Sequence, residues 1–155
     1  MPLTLPPLAH VGIVVADLEA AAANYERRWG VRTEQVQDLA LHDARLHGQP
    51  AGTSARYGFI NTGASQIELI QPLGAPSPYT EFLEANGGDG VHHLAYIVDG
   101  IDPFLEHLRQ VGEAPDVDFT TSFTFPEIGS GRFAYVHGLM HGPVLELIEM
   151  TAMSS

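Results

Sequence analysis

Two residue types are missing from this 155-residue chain, and each absence removes chemistry. There is no cysteine, so disulfides, thiolate metal ligands and a cysteine nucleophile are excluded. There is no lysine either; all seven basic residues are arginine. That rules out a Schiff-base amine and the lysine of a Walker-type phosphate loop. Long apolar runs are also lacking, and no stretch approaches the roughly 18 residues that suggest a membrane span. The start, Met1 to Leu8, is proline-rich without a basic side chain. It does not read as a secretory leader, and a cytoplasmic location is expected. Cations in general are scarce. The formal net charge of −12 makes nucleic acid and anionic membranes poor partners, because both are bound by clustered positive charge.

What is present is a chain that is 45% hydrophobic, enough for a core at this length. It also repeats itself. His10-Val11-Gly12-Ile13-Val14-Val15 followed by Asp17-Leu18 is matched by His93-Leu94-Ala95-Tyr96-Ile97-Val98 followed by Asp99-Gly100-Ile101-Asp102. Each half closes on Glu-Leu-Ile, at Glu68-Leu69-Ile70 and Glu146-Leu147-Ile148. The pattern predicts one domain over residues 1–155, with a first module near 8–73, a linker near 74–90 and a second module near 91–150.

Each module reads as strand, helix, strand, strand, strand. The first helix is expected from Leu18 to Trp29, with Asp17 as N-cap, Gly30 as stop, and Leu18, Ala21, Ala22, Tyr25 and Trp29 on one face. The second is expected from Pro103 to Val111, with Asp102 as cap and a buried stripe of Ile101, Leu105, Leu108 and Val111. Strands are expected near 31–37, 55–60 and 66–71, then 117–121, 132–137 and 144–150. In the linker, Ser77 or Thr80 caps a short helix through Asn86. His42 and His47 fall in a polar stretch without a strong pattern and read as surface residues.

Strand alternation then places the chemistry. His10, Gly12 and Val14 share one face, and Val11, Ile13 and Val15 the other. His93 and Ala95 oppose Leu94 and Tyr96; Glu68 opposes Ile67 and Leu69; Glu146 opposes Leu145 and Leu147. The apolar faces suit helix packing. If the modules curl toward each other, His10, Glu68, His93 and Glu146 line one cavity. Two imidazoles and two carboxylates suit one divalent ion such as zinc, nickel, cobalt, manganese or iron. Such a set leaves positions open for a small-molecule substrate. Arg56 and Tyr57, on a cavity strand, are candidates for orienting a substrate oxygen. The run Phe119 to Phe125, including Phe123, is a candidate pocket wall or lid, or else a strand with its Phe residues in the core.

At these residues the chain resembles the vicinal oxygen chelate superfamily of glyoxalases, methylmalonyl-CoA epimerases, extradiol dioxygenases and fosfomycin- and bleomycin-resistance proteins. The resemblance is carried by His10 to Val15 with Asp17-Leu18, Gln66 to Leu73, Gly90 to Tyr96, and Gly142 to Leu147. It implies an α+β fold of paired βαβββ modules around a metal-lined cleft between curved mixed sheets, and commonly a homodimer. The epimerase and glyoxalase branch is the most similar. There His10, Glu68, His93 and Glu146 correspond to the four metal ligands, with Glu68 where epimerases often carry Gln. His92 is then expected to point away or sit at the rim. The implied activity is that of a lyase or isomerase acting on a small carbon acid through a metal-stabilised enediolate, with Glu146 as catalytic base. Epimerases of this branch place a second base on the third strand of the first module; Ala55 to Ile60 contains no carboxylate. That absence weighs against two-base epimerisation, and the missing lysines weigh against a coenzyme A substrate. The alternatives are an iron or manganese oxygenase of the same fold, or a protein that binds a small molecule without turnover.

Overall fold

A computed structural model describes residues 3–151; the ends of the expected 1–155 span, residues 1–2 and 152–155, lie outside the described residues. The first half runs β1 (His10–Val14), α1 (Leu18–Trp29), β2 (Glu34–Ala40), β3 (His42–Leu46), β4 (Gln49–Pro50), β5 (Ser54–Asn61) and β6 (Gln66–Pro72). Helix α2 (Pro78–Asn86) follows, then β7 (Gly90–Ile97), α3 (Ile101–Gln110), β8 (Asp116–Phe125), β9 (Gly129–His137) and β10 (Val144–Met150). Among the described residues no helix is long and apolar enough to cross a membrane.

The ten strands form one mixed sheet in the order β2-β5-β6-β1-β7-β10-β9-β8-β3-β4. Its centre has a two-fold pattern. β1 and β7 pair antiparallel, and each pairs parallel with the closing strand of its own half, β6 or β10. The outer strands are joined across a single residue. β2 ends at Ala40 beside β5, and β3 begins at His42 beside β8 on the far side of the order. Only Leu41 separates them, so the two flanks of the sheet lie close together and the sheet curls. This gives the expected α+β, curved-sheet architecture.

Alternation in the central strands does what the sequence implies. Ile13, Val15, Ile67 and Leu69 pack with Leu18, Ala21, Ala22 and Tyr25 of α1. Leu94, Tyr96, Leu145 and Leu147 pack with Ile101, Phe104 and Leu105 of α3. The opposite faces, with Val14, Ile70, Ala95 and Val144, join a larger cluster rich in Phe and Tyr. Helix α1 is capped as expected: the Asp17 carboxylate accepts from Ala20 N–H, and Gly30 ends the helix at φ 68°. Helix α2 has a reciprocal box in which Ser77 and Thr80 cap each other.

Several expectations are corrected. Helix α3 starts at Ile101 with Gly100 at the cap, so Asp102 sits in the first turn and does not cap. Trp29 and Val111 are exposed, at 73% and 61%, because each lies at the helix end, past the apolar surface that its neighbours cover. The polar stretch after β2, where no strand was expected, forms the β3–β4 hairpin, which adds to the other half through β8 and leaves His42 and His47 exposed as expected. β8 and β9 are longer than expected, reaching Phe125 and starting at Gly129.

Candidate metal centre

The sheet register builds the site as two rungs. On one, Glu68 of β6 lies beside Gly12 of β1, which lies beside His93 of β7. On the other, Glu146 of β10 lies beside Ala95 of β7, which lies beside His10 of β1. Each rung reads Glu, small residue, His across three strands, and the pseudo-dyad between β1 and β7 exchanges them. The small middle residue lets the outer side chains lean inward over it. At Gly12 this is literal: a Cβ there would overlap the His93 ring atoms Cε1, Nε2 and Nδ1. Four strands at about 4.8 Å spacing span about 14 Å, so the sheet must curl for the outer carboxylates to meet.

They do meet. His10 Nε2 is 3.5 Å from Glu68 Oε1 and 3.6 Å from Glu146 Oε1. His93 Nε2 is 3.5 Å from Glu68 Oε1 and 3.1 Å from Glu146 Oε2. The two Nε2 atoms are 3.1 Å apart. Donors bound at about 2.0–2.2 Å to one ion lie about 3.0 Å apart at right angles and about 3.4 Å apart at tetrahedral angles. The observed separations, 3.1–3.6 Å, lie close to those values. All four residues are buried, His93 completely. Two carboxylates buried without lysine or arginine are costly unless a cation joins them. The donor set therefore fits a divalent ion on spacing, chemistry and charge.

Without an ion, the cluster holds a proton. Burial opposes a charge on His10, but the Glu68 and Glu146 carboxylates outweigh it and raise its pKa to about 9. Burial likewise opposes ionised Glu68, yet His10 and His93 hold it below the usual carboxylate range. For Glu146 burial wins over both imidazoles and its pKa is raised. The two carboxylates are thus unequal despite the pseudo-symmetry.

A further layer was not foreseen. His92 neither points away nor sits at the rim. Between Gly12 and Ile13 the β1–β7 register shifts, so that Gly12 opposes His93 and Ile13 opposes Val91. His92 is the extra residue of a bulge. It is buried among the rings of Tyr79, Phe82 and Tyr135, with its Nδ1 2.9 Å from His93 Nδ1. Burial, reinforced by His93 and His137, pushes His92 down to about 2, so it stays neutral. With His93 Nε2 facing the carboxylates, the tautomer assigned from the network has His93 Nδ1–H donating to His92. Three buried tyrosines complete the layer. The Tyr57 and Tyr79 hydroxyls are 3.3 Å apart, those of Tyr79 and Tyr135 2.8 Å, and Tyr135 acts to lower the pKa of Glu146 against the effect of burial. Burial raises all three phenols above their ordinary value, so they remain neutral donors. No periodic signal marks Tyr79, His92 or Tyr135, which come from three different elements.

The cluster forms the floor of a cavity of about 550 Å³. Tyr57 and Phe123 line it. Arg56 does not; it points off the other side of β5 and forms an ion pair with Asp38 of β2 at 2.7 Å. The Phe119 to Phe125 run is a strand that also supplies wall, through Phe123 and Phe125. A second group, His47, Glu81 and Asp118, gathers outside this cavity, with His47 and Glu81 exposed and hydrogen-bonded to each other.

Comparison with known proteins agrees with this architecture. Residues 9–135 match the family model of the glyoxalase/bleomycin resistance protein/dioxygenase superfamily. The ethylmalonyl-CoA/methylmalonyl-CoA epimerase of Cereibacter sphaeroides is 37% identical over 105 residues, covering 68% of this chain and 70% of that protein. The human mitochondrial methylmalonyl-CoA epimerase is 36% identical over 103 residues, which cover 66% of this chain and about half, 52%, of the human one. Among solved structures, methylmalonyl-CoA epimerase from Mycobacterium tuberculosis superposes with a TM-score of 0.68 at 26% identity, covering 98% of this chain and 94% of that one.

Proposed function

This chain belongs to the glyoxalase/bleomycin resistance protein/dioxygenase superfamily, and from that premise we propose that it is a metal-dependent isomerase of the epimerase type. Its reaction on this reading removes the proton from a carbon beside a carbonyl and returns it on the other face. The observation that carries the proposal is the convergence of His10, Glu68, His93 and Glu146, three of which line one cavity. The relatives are named for CoA thioesters. That runs against the expectation drawn from the missing lysines, and we take an acyl thioester as the substrate class, with the acyl part in the cavity.

A divalent ion held by His10, Glu68, His93 and Glu146 would supply Lewis-acid chemistry at the cavity floor. The chain supplies the rest. Glu146, whose carboxylate lines the cavity, is assigned the role of taking the proton. The Tyr135 hydroxyl favours its ionised form. His92 holds the His93 ring from behind. For inversion a proton must return on the opposite face. The expected β5 position has no carboxylate, because β5 turns Tyr57 and Phe59 to the cavity. Among the described residues the cavity wall contains one other carboxylate, Glu68, on the opposite side of the pseudo-dyad from Glu146. We assign it the return step.

The test combines metal analysis with isotope exchange. Protein purified without chelator should retain about one divalent ion per chain, and His93→Ala and Glu68→Ala should weaken binding at least tenfold. The loaded protein should exchange the α-proton of a branched acyl thioester for deuterium, followed by NMR. A protein that neither retains nor rebinds an ion sinks the proposal.

A further inference from the structure

The second group of side chains, His47, Glu81 and Asp118, comes from three parts of the chain that meet away from the cavity. His47 stands in the two-residue turn between β3 and β4, Glu81 in the first turn of α2, and Asp118 on β8. The turn, His47-Gly48, has φ values of 52° and 79°. That doubly left-handed form joins tight hairpins and favours Asn, Asp or Gly at its first position, so the turn itself does not call for an imidazole. The His47 N–H donates to the Asp118 carbonyl at 2.7 Å, which pins the residue beside β8. Its Nε2 reaches Glu81 Oε1 and Oε2 at 2.9 and 3.0 Å.

Each of the three offers one donor atom, and these atoms lie within 4.8 Å of one another. Donors bound at about 2.0–2.2 Å to one ion are separated by at most about 4.4 Å, so a small movement of the exposed His47 and Glu81 side chains closes the set. Asp118 supplies what an ordinary surface ion pair lacks. Its side chain is only 15% exposed, and its Oδ1 is buried with no hydrogen-bond partner. His137 Nε2 comes within 2.7 Å of the other oxygen, Oδ2, but without the alignment of a hydrogen bond, and it too is buried and partnerless. A buried carboxylate oxygen in this condition is costly until a donor or a cation meets it. The ion-pair partners that Glu81 and Asp118 do have are imidazoles, not a permanent cation.

We propose that His47, Glu81 and Asp118 form a second divalent-cation site, which takes zinc or a similar borderline ion and fastens the β3–β4 turn to α2 and β8. One imidazole and two carboxylates favour such an ion over calcium or magnesium, which take oxygen ligands, and water completes the shell. Two of its three ligands are exposed, so it binds more weakly than the buried four-residue centre. Its role is structural: it ties a hairpin of the first half to a strand of the second. Nothing in it depends on the epimerase reading.

Zinc titrated by calorimetry into tag-free, chelator-stripped protein tests it. Two binding events per chain should appear, the weaker in the micromolar range. His47→Ala and Asp118→Asn should each weaken that second event at least tenfold while leaving the first unchanged, which also reports that the variants are folded. His42→Ala, which removes an exposed imidazole on the same hairpin, should leave both events within about twofold. His93→Ala reverses the pattern, weakening the first event and keeping the second, so failure of one site is distinguishable from failure of the other. Exchange of the His47 amide hydrogen, which is bonded to Asp118, should slow at least fivefold when the second ion binds. A single binding event that His93→Ala abolishes overturns the inference. So does a second event that His47→Ala and Asp118→Asn leave untouched, or calcium bound there as tightly as zinc.

Discussion

Gly12→Ala adds one methyl group, yet it should disable the site. The ideal Cβ lies inside the van der Waals envelope of three His93 ring atoms, whereas ordinary contact begins at about 3.4 Å. The imidazole must therefore retreat by about 1 Å or more, against Tyr135 and His92, whose rings pack on it at 5.0 and 5.2 Å between centroids. Overpacking of this kind costs about 1–3 kcal/mol of stability. The effect on metal binding is larger, because coordination tolerates about 0.2 Å. His93 Nε2 is lost as a ligand, and affinity should fall at least a hundredfold. Gly74→Ala is the control, since its added Cβ meets nothing within 4 Å. Calorimetric titration of zinc or nickel into both variants, with urea unfolding beside it, reads the two effects separately. Wild-type metal affinity in a folded Gly12→Ala protein would refute the placement of the His93 ring over Gly12, and with it the two-rung description.

Two further outcomes follow from the buried network. In chelator-treated protein, the His10 pKa raised from 6.5 to about 9 contributes stability that is fully present below 6.5 and lost as pH rises through about 9. The loss is on the order of 3 kcal/mol. Metal affinity should run the other way, rising up to tenfold per pH unit in that window as the competing proton leaves; a flat apo unfolding profile would sink the assignment. Tyr135→Phe keeps the ring and removes both the hydroxyl that lowers the Glu146 pKa and the partner of Tyr79. It should cost about 1–3 kcal/mol and move the acidic limb of the exchange rate to higher pH, since the Glu146 anion loses the hydroxyl that favours it. A limb that moves down or stays would mean that Tyr135 does not touch the working carboxylate.

The convergence of the four candidate ligands was easier to read from the sequence than the strand layout around them. His10, Glu68, His93 and Glu146 were legible because alternation puts each on the face opposite an unbroken apolar stripe, and the repeat aligned them in pairs. The β3–β4 hairpin was not. Within His42–Leu46 only Ala44 and Leu46 turn inward, too few for a period to emerge, and the segment becomes a strand because β8 offers it an edge. The same limit hid His92. A bulge is a property of two strands in register, so nothing in Val91-His92-His93 alone announces it. Helix ends failed for a simpler reason. Trp29 and Val111 continue their apolar stripes in spacing, but the surface beneath each stripe stops first. The tyrosine layer joins β5, α2 and β9, and only the assembled sheet brings its hydroxyls together.

The one-residue crossover at Leu41 also bears on the order in which the molecule can assemble. The β5–β6 and β8–β9 hairpins are local and can form early. β3 cannot finish until its partner exists. Its contact with Thr121 joins residues 79 apart in the chain, and closing so long a loop costs about 2 kcal/mol more than closing one of ten residues. Until then one side of β3 stands open, with only the two-residue, proline-ended β4 on the other. An open strand edge invites wrong partners. The last third of the chain thus shelters a strand made in the first third, and synthesis passes through a stage in which that shelter has yet to arrive.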